Sequence, residues 1–262
     1  MENFQIKLSS KEILVLSAML GFESVFGIDD DIFLDKDIEI KSLIRQTVRR
    51  MERKKLIRYD LDRTLYIVPE LRKSIECICN AETVGMFSTN LKSGKKVTVY
   101  ILGKEDVIAS LQRNIDGKYI IKLSEDISLS EIIPYEILSA KDNNINEMML
   151  FEEAECVRKQ IEEFNHDNAE KQVQKHSSNI SSAKTITRIL SGNCGYMSVQ
   201  IHKKGKVLYD ALYNNLIVSV DGQNVSVYTD ENDLIHFESI DSEKIKDLIS
   251  SNLSIERKRG AV

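Results

Sequence analysis

The chain opens on an alternation. Phe4, Ile6 and Leu8 are apolar while Gln5 and Lys7 are polar, the two-residue period of a short strand. The period then lengthens: Ile13, Leu16, Met19 and Leu20 recur at helical spacing until Gly21. Ser9 and Glu12 stand three apart, so each side chain can satisfy a free backbone N–H of the other at the helix start. A second helix is predicted over residues 40–55, with Ile44, Val48 and Met51 on one face and Arg45, Arg49 and Arg53 on the other. Residues 56–60 and 65–68, joined by a polar turn, read as a hairpin. Pro69 ends it and opens a third helix over 70–81.

The pattern then changes to a meander. Strands are predicted at 84–89, 96–102, 107–113 and 118–123, with turn signals at Lys92-Ser93-Gly94 and Asn114-Ile115-Asp116-Gly117. A short helix is expected from Ser128, with Glu131 as its capping partner and Pro134 interrupting or ending it. From 146 to about 166 the spacing is helical again. Leu150, Ala154, Val157, Ile161 and Phe164 form a narrow apolar seam, which suits either a buried core face or a face that receives a partner helix. Residues 165–182 are polar and read as a loop or a solvated helix hairpin, followed by a helix over 182–190 closing at Gly192.

The last seventy residues repeat the earlier plan. Strands are predicted at 196–202, 206–212, 216–220, 225–229 and 234–238, then a helix over 242–253 with Asp241 as its N-cap. Each half thus reads as helices, a meander of four or five strands and one closing helix. The fold class that follows is α+β, an antiparallel sheet in two quasi-equivalent halves with helices and an N-terminal winged-helix-like part. With only 2 Pro and 11 Gly, no stretch reads as a flexible linker, so residues 1–252 are expected to form one domain. Its parts are 1–82 (winged-helix-like), 83–140 (first sheet half), 141–192 (helical insertion) and 193–252 (second sheet half), ahead of a flexible tail at 253–262.

Composition narrows the function classes. The 262 residues are 42% hydrophobic and 29% charged, an ordinary balance for a globular chain. The net charge of −5 means that the molecule as a whole is not built to coat nucleic acid. No apolar run reaches the ~18 residues that span a bilayer, and Met1-Glu2-Asn3-Phe4 does not begin a signal peptide. A cytoplasmic protein is expected. The scattered Cys77, Cys79, Cys156 and Cys194 fit a reducing compartment, and neither they nor the four histidines have metal-ligand spacing. The acidic run Asp29-Asp30-Asp31, followed by Asp35, Asp37 and Glu39, lacks the glycine and terminal glutamate of a calcium loop and reads as solvated. No phosphate-binding glycine loop, dinucleotide fingerprint or nucleophile elbow appears, so neither a metal nor a cofactor is expected and the protein reads as a non-enzyme.

One charge feature stands apart. Lys41, Arg45, Arg49, Arg50, Arg53, Lys54, Lys55 and Arg58 face a single acid, Glu52. A basic helix running into a hairpin is the winged form of the helix-turn-helix plan, so Arg45, Arg49 and Arg53 are the candidate nucleic-acid contacts of a transcriptional regulator. A solvated basic face on a structural subdomain accounts for the same residues, since only Gln46 and Thr47 accompany them as base readers.

The order of elements resembles the EspG-type chaperones associated with ESX (type VII) secretion. The matching residues are the helix opening Leu8-Ser9-Ser10-Lys11-Glu12-Ile13-Leu14-Val15-Leu16, the helix end Leu20-Gly21-Phe22 and the strand entry Met51-Glu52-Arg53-Lys54-Lys55-Leu56-Ile57. Lys55 stands where that family usually has glycine. The resemblance spans roughly residues 4–250. It implies a non-enzymatic cytosolic chaperone or adaptor holding a helical secreted protein of WXG/LXG or PE/PPE type. The seam Leu150, Ala154, Val157, Ile161 and Phe164 is the candidate partner surface.

Overall fold

A computed structural model describes residues 4–28, 40–62, 64–90, 96–105, 107–124, 132–140, 144–205 and 209–253. The acidic run at 29–39, the helix expected from Ser128, the turn at 92–94 and the tail after 253 lie outside them.

The first half begins with β1 (Phe4–Leu8), α1 (Ser10–Met19) and α2 (Ile40–Arg53). The hairpin β2 (Ile57–Tyr59) and β3 (Leu65–Ile67) follows, then α3 (Pro69–Cys79). Its meander is β4 (Thr83–Asn90), β5 (Lys96–Lys104), β6 (Val107–Arg113) and β7 (Tyr119–Ser124), after which comes the single turn α4 (Tyr135–Leu138). The second half has β8 (Asn146–Leu150), then α5 (Phe151–Glu162), α6 (His166–Gln174) and α7 (Ile180–Leu190). Its meander is β9 (Gly195–Lys204), β10 (Tyr209–Val220), β11 (Gln223–Thr229) and β12 (Leu234–Ser239), and α8 (Ser242–Leu253) closes it.

Ten strands form one antiparallel sheet in the order β1-β7-β6-β5-β4-β9-β10-β11-β12-β8. The order reads the same from either end. In each half a leading strand returns to pair with the last strand of a four-stranded meander, and three helices lie between. The halves join through their first meander strands, with Phe87 opposite Val199 and Gly85 opposite Ile201. Two equivalent strands paired antiparallel imply a pseudo-two-fold axis normal to the sheet, which leaves equivalent elements on the same face.

The packing follows that symmetry. Val84, Leu102, Ala109 and Leu123 are register neighbours on one face, and with Leu8, Leu111 and Ile121 they bury α1 and α3. On the same face of the second half, Met149, Val225 and Phe237 pack against Ala154, Val157, Ala169, Val173, Ala183 and Ile186 of α5, α6 and α7. The opposite face has a core where the halves meet. There Phe87, Val99, Ile101, Met197, Val199, Ile201 and Ile217 pack against Ile245, Ile249 and Leu253 of α8 and against Ile132, Ile133 and Ile137. Gly85 permits this approach, because a Cβ there would stand 2.7 Å from the Phe87 ring and 3.1 Å from Leu253. Leu253, expected in the tail, is thereby part of the core.

The predicted cap at α1 is present. The Ser9 N–H donates to Glu12 Oε2 at 2.8 Å and the Glu12 N–H to Ser9 Oγ at 3.3 Å, while Lys54 Nζ reaches Glu12 Oε1 at 2.6 Å. Burial alone would push the Glu12 carboxyl up; the hydrogen bond and charge of Lys54, with the Ser9 bonds, outweigh it and hold the group below its usual range.

α2 ends in a Schellman turn: the Leu56 N–H donates to the Met51 carbonyl at 3.0 Å and the Lys55 N–H to the Glu52 carbonyl at 2.9 Å. Lys55 takes the left-handed conformation, φ 58°, that this turn demands. Glycine meets the demand without a Cβ clash, which explains the glycine of the resembling family at this place. Lys55→Gly is expected to stabilise the protein by ~1 kcal/mol, read as a higher urea midpoint at unchanged slope.

Three elements differ from the sequence expectation, and at residues 165–182 one of the two expected alternatives is found. Residues 146–150 are a strand, not the start of a helix: Glu147 and Met149 point inward and are buried, and Met148 and Leu150 point out. Glu147 is tolerated inside because its Oε1 accepts from the Ser178 N–H at 2.7 Å and the Ser178 hydroxyl at 2.5 Å. Residues 165–182 hold α6 and the start of α7, the helix-hairpin alternative, since Ala169 and Val173 suffice to bury one face among polar neighbours. The strands expected at 206–212 and 216–220 are one strand from Tyr209, whose register slips between Ala211 and Tyr213 and breaks the alternation. Ile44, expected on the inner face of α2, is exposed, and Thr47 and Met51 are the buried residues there.

Candidate partner-binding surfaces

The seam does not stay together. Leu150 belongs to β8, paired with Leu234 of β12, and projects from the sheet face opposite α5. Ala154 and Val157 are buried in the second-half core at 1% and 0% exposure. Ile161 is half-buried against the same cluster. Phe164 lies beyond the helix at φ 59°, fully out in solvent. In this conformation Leu150 and Phe164 are the members a partner could reach first, and they lie on different elements.

An open concavity lies elsewhere, on the sheet face that carries α8. It measures about 1250 Å³ and runs between α8 and strands β10, β11 and β12. Its walls are the Tyr213, Asn215, Ser226, Tyr228 and Glu238 side of the sheet, with Lys244 and Leu248 of α8 opposite and Leu212 at the rim. The floor is fixed by cross-strand bonds. Asn215 Nδ2 donates to Ser226 Oγ at 2.8 Å, and the Tyr228 hydroxyl donates to Glu238 Oε1 at 2.7 Å. Accepting that bond, the Glu238 carboxylate holds the Tyr228 phenol up at about 12, with burial adding to the effect. The Tyr228 ring lies flat on the His236 ring, centroids 4.7 Å apart and planes 3° apart. His236 Nε2 meets Asp230 Oδ2 at 3.0 Å, and that contact, with the Leu234 and Asn232 N–H donors, holds the Asp230 carboxyl low.

Beyond His236 on the same face, β8 presents Met148 and Leu150, each about half exposed. The equivalent strand at the other edge, β1, presents Gln5 and Lys7, with Lys7 Nζ on Asp116 at 2.8 Å. A charged edge resists sheet extension; an apolar one invites contact. The groove, the Leu212 rim and the β8 residues therefore make a surface with a polar floor and apolar margins, continuous across one half of the sheet. Sequence reasoning missed it. Its residues sit on strands whose side-chain alternation marks two faces but not which face stays uncovered.

The basic residues are where the pattern placed them. Arg45, Arg49 and Arg53 line the exposed side of α2, away from Thr47 and Met51. Of the thiols, Cys77 is buried with its Sγ 3.1 Å from the Leu102 carbonyl, and burial pushes it to about 11; burial likewise pushes Cys79 to about 12. Among the described residues no three metal-ligating side chains gather, and no helix is long and apolar enough to cross a membrane.

No protein-family profile matches the chain, and no curated protein matches it in sequence. In three dimensions it is similar to EspG5, the type VII secretion system chaperone of Mycobacterium tuberculosis, solved in complex with a PE25-PPE41 dimer. The TM-score is 0.61 at 10% identity, over 95% of this chain and 94% of that one. The likeness thus spans nearly the full length of both chains rather than one subdomain. The chain has the EspG fold, the fold that the resemblance of its residues implied.

Proposed function

We propose that this protein is a non-enzymatic chaperone or adaptor that holds a helical secreted client, of the PE/PPE or WXG/LXG kind, in the cytoplasm. The observation that carries the reading is the end-to-end likeness to a chaperone whose structure contains such a client. The groove beside α8 supplies a place for it. A helical pair has an apolar tip that water does not tolerate. A cleft of about 1250 Å³, with Leu212 and Leu248 at its margins and Asn215, Ser226 and Glu238 on its floor, can cover such a tip and bond its free helix-end groups. Leu150 is the one member of the sequence-read seam that shares this face, so it joins the proposed surface with Met148.

Capture of the tagged protein from its source cells after nuclease treatment, with the retained species identified and then purified, gives the client for a binding assay. Leu212→Asp and Met148→Asp alter exposed positions and are each expected to weaken the reconstituted complex by about tenfold or more, with the thermal midpoint unchanged. The complex should depend little on salt. A retained species with no helical secretion substrate in it, or full binding by both variants, would remove this reading.

A further inference from the structure

The basic segment has no part in the groove, and its structure asks for a partner of its own. α2 lies on α1, with Met51 and Thr47 buried beneath it. Its outer side carries Arg45, Arg49 and Arg53, all exposed, in steps of four residues, which is ~6 Å along a helix axis. Arg50 and Lys55 are exposed beside them. The hairpin β2–β3 follows at once, with the Arg58 guanidinium 4.4 Å from the Tyr66 ring centre. Residues 41–58 carry eight cations and one acid, a net +7, so the rest of this −5 chain carries −12. Among the described residues Lys54 is paired with Glu12 and Arg58 lies 3.8 Å from Asp60, while Arg45, Arg49, Arg50 and Arg53 have no acidic partner. Like charges four apart on a helix destabilise it. A row of unpaired arginines is therefore a surface kept for an anionic ligand rather than for the helix itself.

The form of the surface selects the anion. No apolar residue stands among Arg45, Arg49 and Arg53 on the outer side of α2, and the exposed Ile40 and Ile44 lie along the stripe of Thr47 and Met51, so the arginine row itself has no apolar stripe to insert into a bilayer. A helix with a two-stranded wing directly after it matches the width of a duplex groove and the flanking phosphates. The base-reading groups are already engaged: Gln46 Nε2 lies 3.4 Å from Ser42 Oγ, and the Thr47 hydroxyl donates to the Leu43 carbonyl at 2.8 Å. We propose that α2 and its wing bind duplex DNA through the phosphate backbone, without reading sequence. This activity goes beyond the client reading and does not rest on it.

The test uses the full chain and two labelled duplexes of unrelated sequence, about two helical turns long, followed by fluorescence anisotropy over a range of salt. Four arginines on phosphates give a slope of log affinity against log salt near −3.6, taking about −0.9 for each contact. Both duplexes should bind within about threefold of each other. The triple variant R45E/R49E/R53E should lose about 100-fold or more, and Arg49→Ala should flatten the slope by about 0.9, which keeps the test readable if the triple variant folds poorly. Lys171→Glu with Lys175→Glu, on exposed positions of α6 and its C-cap, should change neither quantity. No binding at low salt, an unchanged slope in Arg49→Ala, strong preference for one duplex, or tighter binding to phosphatidylglycerol vesicles than to either duplex would each overturn the proposal. Client binding by R45E/R49E/R53E should stay at the wild-type level, so loss of DNA binding and loss of the client are separate outcomes.

Discussion

Val157→Asp is expected to unfold the protein rather than to strip it of a partner. Val157 is 0% exposed and belongs to the cluster that joins α5, α6 and α7 to the sheet, with Val173, Ala183 and Phe237. A carboxylate placed there loses its water and gains no cation, because the residues of that cluster are apolar. The penalty for an unpaired buried charge is several kcal/mol, against a total stability of about 5–15 kcal/mol for a protein of ordinary size. Far-UV circular dichroism and a urea titration should show a midpoint reduced by at least half, or no folded baseline. Phe164→Asp, on a side chain out in solvent, should leave the midpoint where it is. Leu150→Asp, half exposed on the groove face, should cost no more than ~1 kcal/mol and weaken the client complex instead. A folded Val157→Asp protein that had lost its client would reverse this assignment and return the seam to an interface.

The contrast between those residues shows how far the sequence was legible. Period and caps carried the elements: Ser9 with Glu12 marks α1, and Pro69 marks α3. The internal repeat was visible as a pattern, yet its most regular feature was hidden. β8 is the counterpart of β1, but the spacing from Leu150 to Ala154 continues the helical period of α5 backward across a strand boundary. A buried glutamate also disguises it, since Glu147 enters the core only because Ser178, thirty-one residues away in sequence, donates to it. Long-range partners of that kind leave no local trace. The basic face of α2 was legible for the opposite reason: an exposed charged face needs no partner to be recognised. The groove was not legible, because concavity depends on where α8 lies across the sheet, and its apolar face (Ile245, Ile249, Leu253) tells only that it packs.

Separated halves of the chain are expected not to fold. Cutting after Ala140 keeps each helical layer with its own meander, so a chain of two independent domains would yield two soluble pieces. The core on the α8 face argues against this. Phe87, Val99 and Ile101 come from the first half, while Met197, Val199, Ile201, Ile217 and the whole inner face of α8 come from the second. Residues 1–140 alone would expose those three side chains. They would also present β4 as a free edge of eight residues whose partner β9 is gone. An edge that long and apolar is a template for aggregation. The second piece would be left with β9 bare in the same way. Each fragment should therefore be insoluble or unfolded, while co-expression should restore a soluble pair with the intact protein's circular dichroism, because the β4–β9 register and the α8 contacts are complementary surfaces. The intact chain should unfold in one transition seen alike by circular dichroism and by tyrosine fluorescence. Two transitions, or a folded fragment 1–140, would mean that the halves are domains in their own right. The groove beside α8 would then belong to the second half alone, and client binding should survive in residues 141–262. If instead the fold is one unit, α8 holds its wall of the groove only while the first half is paired to β9, and neither fragment can bind a client without the other.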